Sequence, residues 1–284
     1  MRLAFKNHEF SGELLLTFGE PSFDRSFFIR DREHKYLTIA WNRGRRQRVT
    51  IDEIEYEFPA NSILPLMVNQ SFHFEDSEEI TAWQFNRDFY CIVDHDKEVG
   101  CVGFLFYGSS NTMFLRLDEP ETRKIRLLFE VFKDEFESAD NIQGDMLRVL
   151  LVRLIITITR IAKLQYLGAE TVADNKFDVI RRFNLLVENH YRTRHEVQFY
   201  ARELNKSPKT LSNYFAIYGH KTPLQIIQER ITLEAKRLFF YTDKTSKEIA
   251  YELGFEDPAH FSRFFKNQTH QSPSQLRKSI KSAS

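Results

Sequence analysis

The chain has only two cysteines, Cys91 and Cys101, in 284 residues. That is too few for a disulfide framework, and two thiols alone cannot complete a zinc site, so both are expected to be buried and inert. Only 10 glycines occur, and none forms a phosphate-cradling loop. Ser, His and Asp are not grouped in a nucleophile motif, so no enzyme is expected. His8, His34, His73 and His95 each stand alone, without the His-x-His spacing of a converging ligand set. Neither a metal nor another cofactor is therefore expected. Long hydrophobic runs are missing too. The most apolar helix-like stretch, Leu147 to Leu167, is broken by Arg153, Arg160 and Lys163, and the first ten residues soon reach charge. The expectation is a cytoplasmic protein with no membrane segment.

Net charge is absent, with 40 Lys and Arg against 40 Asp and Glu, but the balance hides an asymmetry. From Lys176 onward there are 19 basic and 11 acidic residues, a surplus of eight; the residues before it hold 21 and 29, a deficit of eight. A basic C-terminal third suggests a polyanionic partner for that part of the chain.

The pattern of apolar residues divides the sequence into three. Up to about Leu117, short aromatic or β-branched runs (36–41, 49–58, 80–85 and 89–93) alternate with turn-like pieces, which predicts a sheet sandwich or small barrel. The basic run Arg43-Gly-Arg-Arg-Gln-Arg48 reads as an exposed hairpin turn. From Glu121 the period becomes helical: Ile125, Leu128, Phe129 and Phe132, then Leu147, Leu150, Leu151, Leu154, Ile155 and Ile158, predict two helices joined near Ser138 to Gly144. After about Phe177 everything reads as helix, with breaks at Ser207-Pro208, Gly219 to Pro223, Asp243, Gly254 to Pro258 and Ser272-Pro273.

The last segment repeats itself. Ala201-Arg-Glu-Leu204, Ser207-Pro208, Leu211, Tyr214 and Phe215, and Thr222-Pro223 are matched in order by Ala250-Tyr-Glu-Leu253, Asp257-Pro258, Phe261, Phe264 and Phe265, and Ser272-Pro273. Each copy describes a helix, a tight turn, and a second helix opened by an N-cap side chain and a proline. The apolar positions bury one face of that second helix. Lys209, Thr210, Ser212 and Asn213 remain on the other face of the first copy, and Ala259, His260, Ser262 and Arg263 on that of the second. Short polar and basic side chains near a helix N-terminus are what reading the major groove requires.

Phe177 to Lys278 resembles the paired helix-turn-helix domain of the AraC/XylS family of bacterial transcription regulators. The resemblance is carried by Ala201, Leu204, Ser207, Leu211, Phe215, Gly219, Thr222-Pro223, Arg230, Ala235 and Leu238, then Ile249-Ala250, Leu253-Gly254-Phe255, Phe261, Arg263, Phe264-Phe265-Lys266 and Ser272-Pro273. It implies two units joined by a long helix, from about Pro223 to Tyr241, that place their second helices in successive major grooves of double-stranded DNA. Carried onto this chain, it gives Lys209, Ser212, Asn213, His260 and Arg263 as base contacts, and Lys206, Lys221, Lys244, Ser246 and Lys266 as phosphate contacts. By the same analogy the protein is an activator that works with RNA polymerase.

The acidic N-terminal part resembles the cupin-like sensory barrel of many members of this family, with Ile51 to Phe74 reading as its central strands. Trp41, Tyr56, His73, Trp83 and Phe85 are the candidate lining of a pocket for a small-molecule effector. The apolar helices from Glu121 to Leu167 suit a homodimer contact. The expected fold class is multidomain α+β: residues 1–117 a cupin-like barrel, 118–172 a two-helix dimerisation segment, and 177–284 an all-α double helix-turn-helix domain. Two alternatives remain open at this point. One is a regulator governed by a protein partner or by dimerisation without a small ligand. The other is a cupin-type binding protein or enzyme with a helical tail.

Overall fold

The computed structural model describes residues 1–7, 11–25, 36–52, 54–68, 70–91, 105–106, 112–167, 175–218 and 221–283. The chain forms two compact units, Met1–Val172 and Ala173–Ser284. Several positions named above, His8, His34, His95, Cys101 and Gly219 among them, lie outside the described residues.

Ten strands build the first unit: β1 (Arg2–Lys6), β2 (Glu13–Phe18), β3 (Asp24–Arg25), β4 (Leu37–Asn42), β5 (Gln47–Ile51), β6 (Ile54–Phe58), β7 (Ser62–Leu66), β8 (Phe72–Phe74), β9 (Ile80–Phe85) and β10 (Leu115–Arg116). They form a six-stranded sheet in the order β1-β2-β9-β4-β7-β10 and a four-stranded sheet in the order β3-β8-β5-β6. Two helices follow, α1 (Glu119–Glu137) and α2 (Gln143–Leu167). Asp118 and Glu121 close a reciprocal capping box at the start of α1, which satisfies two of the backbone N–H groups that a helix leaves orphaned there.

Strand register decides which way the large side chains point. β4 and β9 are buried at all six of their positions, so both faces of the large sheet are covered. Ile39 lies opposite Trp83, Trp41 opposite Thr81 and Leu37 opposite Phe85; directly paired residues share a face, and successive residues along a strand change it. On the side holding Trp83, helix α1 supplies the cover: the Trp83 ring lies 6.4 Å from Phe129 and 5.9 Å from Phe132. On the opposite side Ala40, Leu64, Leu66, Ile80 and Ala82 share a core with Phe23, Val49, Ile51, Phe58, Phe72 and Phe74 of the small-sheet side. No aromatic residue therefore faces the inter-sheet core from β4 or β9, which turn Ala40, Ile80 and Ala82 towards it, while their bulky aromatics lie on the side of the helix.

Two strand expectations are corrected. The run 49–58 divides at Asp52, whose φ of +48° turns the chain from β5 into β6. Residues 89–91 carry no strand, and 92–93 lie outside the described residues. The segment 43–46 is a crossover between sheets rather than a hairpin turn, since β4 belongs to the large sheet and β5 to the small one. The Asn42 side-chain amide organises this crossover. It donates to the carbonyls of Arg45 at 2.9 Å and Pro59 at 3.0 Å, and its oxygen accepts from Gly44 N–H at 3.1 Å.

The second unit consists of α3 (Asn175–His190), α4 (Val197–Glu203), α5 (Pro208–Tyr218), α6 (Pro223–Tyr241), α7 (Ser246–Glu252), α8 (Pro258–Thr269) and α9 (Pro273–Ala283). One apolar core runs through it, from Phe183 and Tyr200 through Leu211, Phe215, Ile227 and Ala235 to Phe239, Phe261 and Phe265. The helix starts are written in the sequence. Thr222 and Thr245 close capping boxes with Gln225 and Glu248, and Ser272 accepts from Gln275 N–H at 3.3 Å while Gln275 reaches back at 2.8 Å. Arg277 of α9 donates to the carbonyls of Phe239, at 2.6 Å, and Thr242, at 2.8 Å, and so caps the C-terminal end of α6.

Candidate nucleic-acid interface

Two helical pairs, α4 with α5 and α7 with α8, present matching faces. In α5 the Ser207 hydroxyl accepts from Thr210 N–H at 3.0 Å and Pro208 takes the first helical position. Leu211 and Phe215 are buried, which turns Lys209, Ser212 and Asn213 outward. In α8 the Asp257 carboxylate accepts from Ala259 N–H at 2.8 Å and His260 N–H at 3.1 Å. Phe261 and Phe265 are both fully buried, and His260 and Arg263 are exposed. Ser212 and Ser262 occupy equivalent places, each hydroxyl donating at 2.9 Å to the carbonyl four residues earlier, of Pro208 and Pro258.

The charges of this unit separate into two populations. Inside it, acidic partners hold the basic groups. Glu188 pairs with Arg230, and Glu234 accepts from Arg192 at 2.7 Å and from Arg230 at 3.0 Å. Burial alone would raise the Glu234 carboxyl, but Arg230, Arg237 and Arg192 together bring it down to about 2. For Arg230 the same burial opposes the charged form, and Glu188, Tyr191 and Glu234 more than offset it, so that its pKa is raised. On the surface, none of Lys206, Lys209, Arg263 and Lys266 has a side-chain partner among the described residues. The basic surplus is thus displayed on the turn between α4 and α5 and on the outer faces of α5 and α8.

The structure also sorts the expected phosphate contacts. Lys206 is exposed beside Asn205, whose φ is +53°, and Ser246 opens α7 directly after its cap. Lys221 is paired with Glu229 at 2.8 Å, and Lys244 with Glu252, so either would reach a phosphate only by sharing its ammonium with a carboxylate. Two exposed residues were not singled out from sequence. Asn267 continues the outward stripe of His260 and Arg263 at helical spacing. Lys247 lies over the half-exposed Tyr251 ring, at 6.0 Å, on α7. Helical period measured from Arg263 would have found the first.

The five residues expected to line an effector pocket do not converge. Trp41, Trp83 and Phe85 share the helix-covered face of the large sheet, and His73 is exposed beside Asp24 at 3.8 Å. Only Tyr56, packed 6.2 Å from Phe114, borders the inter-sheet core. Among the described residues no group of three or more His, Cys, Asp or Glu is arranged to hold a metal, and no helix is long and apolar enough to cross a membrane.

Residues 200–279, spanning both helical pairs, match a family described as a helix-turn-helix domain. These residues form a helix-turn-helix domain. The chain is similar to the HTH-type transcriptional activator RhaS of Salmonella schwarzengrund, 24% identical over 162 residues, which covers 57% of this chain and 56% of that protein. It is also 30% identical over 96 residues to histidine kinase P4 of Formosa agariphila, covering 34% of this chain and 7% of that one. The chain therefore spans about half the length of the activator it matches, and a small part of the kinase. Among solved structures, ToxT from Vibrio cholerae aligns over 98% of this chain and 96% of its own, at 16% identity and a TM-score of 0.41. The helix-turn-helix domain accounts for the repeat and for the two polar outer faces, on the second of which Arg263 is exposed.

Proposed function

We propose that the protein is a sequence-specific DNA-binding transcription regulator that reads duplex DNA through α5 and α8. The observation that carries this reading is the pair of equivalent second helices, each burying two aromatic or aliphatic anchors and turning polar and basic residues outward, with Lys209 and Arg263 lacking a side-chain partner among the described residues. The 19 residues of α6 give it a length of about 28 Å at 1.5 Å per residue. That is close to the roughly 34 Å between successive major grooves on one face of DNA, so a modest bend would bring both helices to base edges. Lys209, Ser212, Asn213, His260 and Arg263 contact bases, and Arg263 takes a guanine edge in bidentate fashion. Lys206, Ser246 and Lys266 contact phosphates; Lys221 and Lys244 assist from their ion pairs.

The N-terminal unit supplies activation in response to a small-molecule effector, taken up between the two sheets of a cupin-like barrel. Support comes from Arg25, whose guanidinium donates to the carbonyls of Met67 and Tyr36, both at 3.0 Å, and to the Thr38 hydroxyl at 2.6 Å. Burial pushes it down to about 10, which leaves it charged at neutral pH. Leu127 and Val131 of α1 and Met146 and Val149 of α2 are exposed; they form the homodimer contact, through which the regulator engages RNA polymerase as a pair. Selection of bound sequences from random duplexes by the full chain, with and without small-molecule pools, tests the reading. A preferred sequence whose affinity falls by about 0.9 log units per log unit of salt for each phosphate contacted is expected. Absence of any duplex preference at moderate salt would refute it.

A further inference from the structure

We infer that the connector between α3 and α4, Tyr191–Glu196, is a strap that fixes the separation of the two reading helices, with Arg192 and His195 as positioning residues for α8. The inference rests on the proposal that α5 and α8 read one face of DNA, and it concerns what holds them at their distance. The sequence alone suggests that α6 does this unaided, because α6 joins the two pairs in the chain. α6 also holds α8 through Phe239, packed 6.3 Å from Phe261 and 5.3 Å from Phe265, but contacts through α6 alone would leave the second pair able to shift relative to the first.

The connector prevents that by touching both pairs within a few residues. On the side of the first pair, the fully buried Tyr200 of α4 donates its hydroxyl to the Arg194 carbonyl at 2.7 Å. On the side of the second pair, the next residue, His195, brings Nε2 to 2.9 Å from the Leu253 carbonyl, at the turn that precedes α8. The His195 ring packs 4.8 Å from Phe255, which in turn lies 5.3 Å from Phe261 and 5.2 Å from Phe264 of α8. Gly254 sits against the Arg192 backbone so closely that a Cβ there would overlap the Arg192 carbonyl oxygen. The Arg192 guanidinium reaches the other way, donating to Glu234 of α6 at 2.7 Å and lying 4.0 Å from Glu252 of α7. Tyr200, Arg194, His195 and the turn before α8 therefore form one continuous path between the pairs that does not pass along α6.

Arg192 is the informative residue to change. Its side chain is 48% exposed, and Glu234 keeps Arg230 and Arg237 when it is removed. Loss of Arg192 therefore leaves no buried carboxylate unpaired. The test uses a duplex selected by the full chain from a random pool. Versions with either half scrambled, and versions with one base pair inserted or deleted between the halves, accompany it. The unaltered protein is expected to lose about tenfold or more on a one-base-pair change of spacing. Arg192→Gln is expected to lose about tenfold on the intact duplex, to stay within about twofold on each half alone, and to discriminate less between spacings. Arg192→Lys, which keeps the charge, should recover most of that loss, and Tyr200→Phe should give the same signature from the other end of the strap. Equal losses on intact and half duplexes, or no loss on the intact one, would overturn the inference, as would a bound duplex that the unaltered protein accepts at every spacing. If Arg192→Gln does not fold, Tyr200→Phe decides by the same criteria. Failure of the unaltered protein to prefer any duplex would instead overturn the DNA-reading proposal, a distinct result.

Discussion

Replacing Gly254 by alanine should destabilise the C-terminal unit selectively, and Gly19 provides the control. Both glycines have positive φ, +78° at Gly254 and +58° at Gly19. An alanine at either costs about 1 to 2 kcal/mol for adopting the left-handed region. The surroundings differ. At Gly19 a Cβ would meet nothing within 4 Å, whereas at Gly254 it would overlap the Arg192 carbonyl oxygen and lie 3.1 Å from its carbon and 3.3 Å from Thr193 Cα. The neighbour is backbone and cannot rotate away, so the turn must move off the connector. That movement gives up the hydrogen bond between His195 and Leu253, a further loss of about 0.5 to 1.5 kcal/mol. The expected cost is about 1.5 to 3.5 kcal/mol at Gly254 and about 1 to 2 kcal/mol at Gly19.

Two probes separate the units in one denaturation experiment. The two tryptophans, Trp41 and Trp83, both lie in the N-terminal unit, so their fluorescence follows that unit alone. Far-ultraviolet circular dichroism at the helix band is dominated by the C-terminal helices together with α1 and α2. Gly254→Ala should shift an early part of the dichroism transition to lower denaturant and leave the fluorescence midpoint in place; Gly19→Ala should do the reverse, by a smaller amount. Equal effects of the two substitutions, or a Gly254→Ala shift worth under about 0.5 kcal/mol, would show that the connector does not press on this turn.

Three further outcomes are expected. Arg263→Ala should cost about 1 to 3 kcal/mol on the selected duplex and relax preference at one or two base pairs; a uniform loss across all sequences would make it a phosphate contact. Phe265→Ala, at a fully buried site 5.3 Å from the Phe239 ring, should destabilise the C-terminal unit by about 3 to 5 kcal/mol, and a stably folded variant with weakened DNA binding would mean that the faces of α8 are reversed. Burial lowers the His195 pKa from 6.5, so the folded unit binds fewer protons than the unfolded chain and stability present above 6.5 is lost as pH falls through that value; His195→Gln should flatten the dependence in thermal melts between pH 7.5 and pH 5.5, and an unchanged slope would exclude His195 as its source.

How much was legible depended on whether one face of an element meets water. In the C-terminal unit each second helix has a wet side and a dry side, so apolar spacing alone separated Leu211 and Phe215 from Lys209 and Asn213, and Phe261 and Phe265 from Arg263. Caps were legible because their chemistry is local: Ser207, Thr222, Asp257 and Ser272 announce their helices within three residues. The Thr245–Glu248 box is equally local. In the large sheet no such contrast exists. β4 and β9 are buried at every position, because one side faces the second sheet and the other faces α1, and a strand covered on both sides loses the alternation that would reveal its inward face. The sequence therefore does not show that Trp41, Trp83 and Phe85 lie on the face under α1, while Ala40, Ile80 and Ala82 are what β4 and β9 turn towards the second sheet.

The connector shows a different limit. Nothing in Tyr191-Arg-Thr-Arg-His-Glu196 repeats, alternates or caps, and its contacts lie 42 residues away at Glu234 and 58 away at Leu253. Its meaning depends on tertiary geometry that no window of sequence contains. Yet one local sign was present on the receiving side. Gly254 is a glycine in the turn of the second pair, and the corresponding turn of the first pair uses Asn205 at a φ of +53°. Asparagine tolerates the left-handed region but carries a Cβ. The first turn therefore needs only the conformation, while the second needs the conformation and the empty space as well, because a backbone passes there. The two copies of the repeat differ at the position where the second is held by the rest of the domain, so the difference between them marks the contact that their similarity cannot.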